Sequence, residues 1–164
     1  MADIIFFRGA PGVGKSTLSK EIMPFFPNGI TIEVGPFLKL HNSFEDGDSA
    51  HYSNTLDCIY ALSLKYLNMG YYPILIIGPM KHLRMTNHFL SRMKKDYSIV
   101  TLVAENSVLD YRIDNRPIGF KNKTVAHEVN KNMKQYRFDK ELYIDTTEKN
   151  PDDVLIEVKK FLNL

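Results

Sequence analysis

The chain has 164 residues, 44 % of them hydrophobic and 24 % charged, with a formal net charge of +2. This is the composition of a soluble globular protein, long enough for one full core and short for two, so a single domain over residues 1–164 is expected. No apolar run approaches the roughly 20 residues of a membrane span, Met-Ala-Asp enters a strand without the basic region of a signal peptide, and the lone Cys58 cannot form an internal disulfide; an intracellular, cytoplasmic protein with no membrane partner and a buried, inert thiol is the expectation.

The first apolar run, Ile4-Ile5-Phe6-Phe7, reads as a strand and leads directly into Gly9-Ala-Pro-Gly-Val-Gly-Lys-Ser-Thr17. This string fulfils G-x-x-x-x-G-K-[ST], and Leu18 to Met23 continues as a short helix that Pro24 stops, which is the strand, loop and helix order the motif requires. Gly9, Gly12 and Gly14 let main-chain N–H groups around Val13 turn inward on a phosphate, and the helix N-terminus adds about half a positive charge. Lys15 supplies a full charge for the β- and γ-phosphates of a nucleotide, Ser16 a hydroxyl for Mg²⁺, and Thr17 completes the binding set.

Asn28-Gly29 is a turn signal, and Ile30-Thr31-Ile32-Glu33-Val34 a β-branched strand ended by Gly35-Pro36. Residues 36–50 hold turn formers and no clear period. Leu56, Ile59, Tyr60, Leu64 and Leu67 mark one face of a helix from about His51 to Met69, closed by Gly70. Tyr72 to Ile77 forms an inner strand, apolar on both sides, before Gly78-Pro79 and a helix from His82 to Lys95. Ser98 to Val103 is a fourth strand. Ser107 is a plausible N-cap for a helix through Arg116, and Thr124 for another after a polar loop, with Val125, Val129 and Met133 on one face. Leu142-Tyr143-Ile144 is the last strand, and Asn150-Pro151-Asp152-Asp153 starts a final helix with a cap, a proline at its first position and acids in its first turn. Five strands alternating with helices predict an α/β fold: a parallel sheet covered on both faces, with ligands beyond the carboxyl ends of its strands.

Arg112 and Arg116 lie four apart before the polar loop. Together with the early phosphate loop and Thr124-Val125-Ala126-His127-Glu128-Val129, they make a constellation that resembles the small P-loop kinases of the nucleoside monophosphate kinase superfamily, nearest the polynucleotide kinase-like and zeta-toxin-like group. The resemblance implies a three-layer P-loop kinase fold, Mg·ATP as phosphoryl donor, and a lid over about residues 112–136 whose Arg112 and Arg116 meet the transferred phosphoryl group and the leaving ADP oxygens. It also implies an adenine site around Asp145-Thr146-Thr147 and Asn150-Pro151, where Asp145 is equally readable as a turn or capping residue.

The sequence departs from that group where carboxylates are expected. Gly35 and Leu38 stand where such kinases carry an acceptor-activating aspartate and an acceptor-binding arginine, and Gly78 where a third strand often ends in an acid for the Mg²⁺ shell. Glu33 is the nearest candidate for general base or for holding Mg²⁺-bound water, with a solvent-facing strand residue as the alternative. Leu40 to Leu64 contains Glu45, Asp46, Asp48 and Asp57 and no Lys or Arg, with Lys39 at its edge, so a neutral or cationic acceptor is favoured over a phosphorylated one. Arg112 to Lys140 is strongly basic, which leaves nucleic acid as a minority partner. The histidines at 41, 51, 82, 88 and 127 lack metal-ligand spacing. These readings converge on a kinase for a hydroxyl acceptor, with a polynucleotide 5′-hydroxyl kinase and a non-catalytic nucleotide-binding regulator as alternatives.

Overall fold

A computed structural model describes residues 2–40, 49–80 and 83–164. Five strands, β1 (Ile4–Gly9), β2 (Ile30–Glu33), β3 (Ile74–Gly78), β4 (Tyr97–Val103) and β5 (Glu141–Asp145), pair in the order β2-β3-β1-β4-β5. Every pairing is parallel. The chain leaves β1 for the β2 edge, returns through β3, and then crosses to β4 on the other side. The order therefore reverses around β1, and a crevice at the carboxyl end of that strand is where an open parallel sheet binds ligands.

Alternation along the strands divides the core in two. Ile5 and Phe7 of β1 and Leu75 and Ile77 of β3 face one layer, which holds Leu18 and Ile22 of α1 (Lys15–Ile22), Leu109 of α5 (Asn106–Asn115), Val129 and Met133 of α6 (Lys123–Gln135), and Val154, Val158 and Leu162 of α7 (Pro151–Leu162). Ile4, Phe6, Ile74 and Ile76 face the other, with Tyr52, Leu56 and Ile59 of α3 (Ser49–Asn68) and Phe89, Leu90 and Met93 of α4 (Leu83–Met93). Strands buried on both faces explain why β1 and β3 read as unbroken apolar runs.

Several local expectations are revised. Gly35-Pro36 does not end β2 in a loop: both lie in the first turn of a short helix, α2 (Val34–Leu38), where proline costs little because its missing N–H would have no intrahelical partner. Pro24 follows α1 inside a 3₁₀ turn, Met23–Phe25. The cap of α6 is Asn122, whose side-chain oxygen accepts from the Val125 N–H at 3.1 Å, so Thr124 falls inside the first turn. Glu105, in extended conformation, precedes α5, which moves Ser107 from cap to interior. Asn150 caps α7 by accepting from the Asp153 N–H at 2.9 Å, with Pro151 at the first helical position. Cys58 is exposed, not buried; the buried stripe of α3 runs through Tyr52, Thr55, Leu56, Ile59 and Ser63, and position 58 turns away from it. Of the residues read as flanking an acceptor, His41, Glu45, Asp46 and Asp48 lie outside the described residues, as does His82. Among the described residues no helix is long and apolar enough to cross a membrane.

Candidate nucleotide site

The loop between β1 and α1 is held open by its backbone. Gly9, Gly12 and Gly14 have φ of 147°, 85° and 107°. At Gly14 a side chain would meet nothing within 4 Å, so there the conformation alone demands glycine. Gly14 is also the N-cap of α1 and offers no side chain to its first turn, which contains no acid either. The helix dipole and the unsatisfied first-turn N–H groups are thereby left for an anion. Val13 is 1 % exposed and packs into the α1, α5, α6 and α7 layer. What Val13 presents to the cavity is therefore main chain. Ser16 and Thr17 are exposed at its mouth.

That cavity, of about 470 Å³, is lined by Pro11 to Leu18 and also by Arg112, Arg116, Thr146 and Lys149. Two segments far from the loop in sequence, one around Arg112 and Arg116 and one around Thr146 and Lys149, thus converge on it. The Lys15 ammonium donates to the carbonyls of Gly9 and Ala10, both at 2.8 Å, which uses two of its three protons and leaves a third for a ligand oxygen. Burial, then the charge of Arg116, opposed by Glu33, lowers its pKa to about 7. A phosphate oxygen there would favour the charged form and reverse that shift.

The two arginines separate in role. Arg112, in the last turn of α5, donates from Nη1 to Thr146 Oγ1 at 3.0 Å and from Nη2 to the Thr146 carbonyl at 2.8 Å. Thr146 is itself tied to the Val103 carbonyl through its N–H at 2.8 Å and its hydroxyl at 3.0 Å. Arg112 therefore bridges α5 to the β5–α7 loop. Arg116 lies just past the helix, its backbone extended at φ −83°, ψ 136°, so the spacing of four does not place both on one helical face. Its Nη2 donates to the Phe120 carbonyl, while Nε is buried with no hydrogen-bond partner among the described residues. It is also the cation felt by Lys15. Arg116 is thus coupled electrostatically to Lys15, whereas Arg112 is engaged with Thr146. Asp145 takes the turn reading: its Oδ1 accepts from the Thr147 N–H at 2.9 Å and hydroxyl at 2.5 Å.

Much of the basic stretch is engaged within the fold, while Lys131 and Lys134 stay exposed on α6. Lys121 caps α5, donating to the carbonyls of Ile113 at 2.8 Å and Arg116 at 2.6 Å. Lys123 pairs with Asp114, Lys140 with Asp96, and Arg137 donates to the carbonyls closing α6 while stacking on Tyr143. α6 is rooted in the core by Val129 and Met133, and apart from its C-cap Tyr136 the part of residues 112–136 outside α5 and α6 is the loop 116–122.

The missing carboxylate at 78 has a steric cause. A Cβ on Gly78 would lie 2.5 Å from Cγ2 of Val34, so no side chain fits at the end of β3. Gly35 has nothing within 4 Å. Glu33, at the end of β2 and the N-cap of α2, is exposed and within electrostatic reach of Lys15. Among the described residues no group of three His, Cys, Asp or Glu forms a metal cage. His51 instead bonds the Leu38 carbonyl at 2.8 Å, and His127 bonds Asp110 at 2.8 Å.

Comparison with solved structures settles the architecture. A sugar kinase from Janibacter sp. HTCC2649 superposes with a TM-score of 0.79 at 13 % identity, over 99 % of this chain and 95 % of its own. A gluconokinase from Sinorhizobium meliloti 1021 gives 0.77 at 15 % identity, over 99 % and 92 %. This is the P-loop kinase fold. Thymidylate kinase from Candida albicans shares it, with a TM-score of 0.72 at 17 % identity over 99 % and 91 % of the two chains. At the level of sequence, no protein-family model and no curated protein matches.

Thr146 in the cavity wall lies in the segment that the resemblance assigns to the adenine, whereas Lys149 has no such signal. Thr146 carries a second signal, its place directly after the last strand, where open parallel sheets keep their ligand contacts.

Proposed function

We propose that the chain, acting as one P-loop kinase domain, binds Mg·ATP and transfers its γ-phosphoryl group to a hydroxyl acceptor. The observation that carries this is the Lys15 ammonium, fixed on the Gly9 and Ala10 carbonyls at one end of a cavity whose other walls bring Arg116 and the Arg112–Thr146 pair. Lys15 and the N–H groups of the loop hold the β- and γ-phosphates. Arg116 neutralises the charge that spreads over the transferred group, and Arg112 fixes the nucleoside end against Thr146. Loop 116–122 is the lid. Mg²⁺, arriving with the nucleotide, supplies charge neutralisation, and the exposed Ser16 hydroxyl is the protein ligand placed to meet it, in keeping with a metal that relies on phosphates and water more than on protein cages. The acceptor oxygen attacks phosphorus as the bond to the β–γ bridging oxygen breaks, and its proton passes to Glu33.

The acceptor is neutral or cationic. α2 and the first half of α3 carry no Lys or Arg among the described residues; of the cations beside them, Arg92 is paired with Asp57, Arg84 lies in the groove between α3 and α4, and Lys39 follows α2, so they form no cluster for a phosphomonoester. ADP release from Mg·ATP in a panel of hydroxyl compounds tests this reading. Neutral or cationic members are expected to stimulate release more than nucleoside monophosphates, and Glu33→Gln to lose most of that stimulation. Efficient turnover of a monophosphate refutes the acceptor reading. A second reading, a nucleotide-binding regulator, is favoured by the exclusion of any acid from position 78, and it predicts ATP binding with no stimulated release by any acceptor.

A further inference from the structure

Arg8 is the last side chain of β1 before the phosphate loop, and it is 2 % exposed in a strand otherwise made of Ile and Phe. Its guanidinium is poorly served. Among the described residues Nε and Nη2 reach only the Met133 sulfur, at 3.1 and 3.0 Å, and a thioether is a weak acceptor. Nη1 has no hydrogen-bond partner among the described residues; Glu141 Oε1 is 3.7 Å away, and the group rests 4.6 Å over the Phe138 ring. Glu141, whose side chain is 2 % exposed, is by contrast well held, accepting from the Thr101 hydroxyl and from the Phe138 N–H at 2.8 Å. A buried pair in which one member lacks an oxygen acceptor at hydrogen-bond distance contributes little to stability, since an apolar side chain at position 8 would avoid the desolvation.

The residues that this pair touches explain its presence. Arg8 adjoins Gly9, whose carbonyl holds Lys15. Met133 is in the last turn of α6, the helix that follows the loop carrying Arg116. Glu141 opens β5, the strand that ends at Asp145 and delivers Thr146 to Arg112. We propose that Arg8 and Glu141 are positioning residues that set the spacing of the phosphate loop, the Arg116 loop and the Thr146 end of the cavity. The proposal rests on the nucleotide-binding reading above.

The test compares Arg8→Met, Glu141→Gln and the double variant by thermal midpoint and by calorimetric titration with Mg·ATP. Each single change leaves a buried polar partner without its counterpart, and both are expected to lower the midpoint. The double variant removes the pair while keeping an amide for Thr101 and Phe138, and it is expected to regain most of the midpoint yet bind Mg·ATP at least about tenfold more weakly. A structural role alone would restore affinity with stability, so wild-type affinity in the double variant overturns the proposal. If that variant does not fold, Arg8→Lys, which keeps the charge without the guanidinium fork, must weaken binding at least about threefold, and unchanged affinity overturns the proposal equally. Failure of the wild type to bind Mg·ATP in the same titration sinks the nucleotide reading and this one together, whereas wild-type binding with an undiminished double variant sinks only this one.

Discussion

The two halves of the site are built by different means. On the nucleotide side, backbone conformation does most of the holding: three glycines at positive φ, a helix start without a capping side chain, and a lysine fixed by two carbonyls. On the side of Glu33, the described surface is α2 and the start of α3, and what it offers is a shortage of cations and a glycine at 78 that Val34 forces. Holding by main chain restricts which residues can stand at each position, so the first half has a spelling. A pocket that selects by shape and charge balance accepts many sequences, so the second half has none.

The sharpest way to break this contrast is to remove the lysine fixed in the loop of the nucleotide half. Lys15→Ala deletes the full charge at the phosphate end, and turnover is expected to fall by about a thousandfold or more, on the scale of losing a preorganised donor to a developing oxyanion. Calorimetry with Mg·ATP and an acceptor-stimulated ADP release assay measure it. If both stay at wild-type levels while the protein remains folded, the loop is not a phosphate site and the contrast dissolves.

The next test divides the nucleotide half internally. A group that acts on charge present only during transfer lowers turnover and leaves nucleotide affinity nearly unchanged, whereas one that holds the ground state weakens affinity. Arg116→Ala is therefore expected to slow transfer by about a hundredfold with little change in Mg·ATP affinity. Arg112→Ala, which severs two hydrogen bonds to Thr146, is expected to weaken affinity by roughly tenfold. Identical profiles for the two variants would erase the distinction between phosphate end and nucleoside end.

How much of this was legible follows from the same contrast. The open glycine loop after β1, the five strands and the parallel sheet are readable because glycine spacing and apolar runs are direct consequences of backbone geometry and burial. Helix starts were harder. Ser107 and Thr124 are good caps by residue type, but Glu105 and Asn122 precede the helices, because several polar residues stand at each start and only tertiary contacts choose among them. Cys58 was misplaced for a related reason: a helix bearing Tyr, Leu and Ile on more than one face does not declare which stripe is buried. The spacing of Arg112 and Arg116 suggested one helical face, yet they meet at the cavity through a helix end and the extended residue beyond it. Arg8 was overlooked, although a charge inside an apolar strand is itself a signal that something buried needs it.

The smallest expected effect tests the electrostatics of the nucleotide half without disturbing its shape. Burial and Arg116 hold Lys15 near a pKa of about 7 in the free protein, against 10.5 for an ordinary lysine. Between those two values the unfolded chain binds the proton and the folded free protein does not, so Lys15's contribution to stability rises with pH through that window and is lost as pH falls through about 7. Nucleotide binding responds in the opposite sense. The bound phosphates favour the ammonium, so at pH 8 binding must take up a proton, and affinity is expected to fall above pH 7 by up to about tenfold per unit, the cost of about 1.4 kcal/mol per pH unit of protonating the lysine. Titrations at pH 8 in two buffers of different ionisation enthalpy count that proton. Lys15→Arg keeps its charge at every pH in this range and serves as the reference, because proton exchange by the phosphates themselves is common to both proteins. An excess uptake approaching one proton in the wild type over Lys15→Arg supports a desolvated lysine awaiting an anion. Equal uptake in the two would mean that Lys15 is already fully charged in the free protein, and that the loop is more open to water than the close approach of its ammonium to the Gly9 and Ala10 carbonyls suggests.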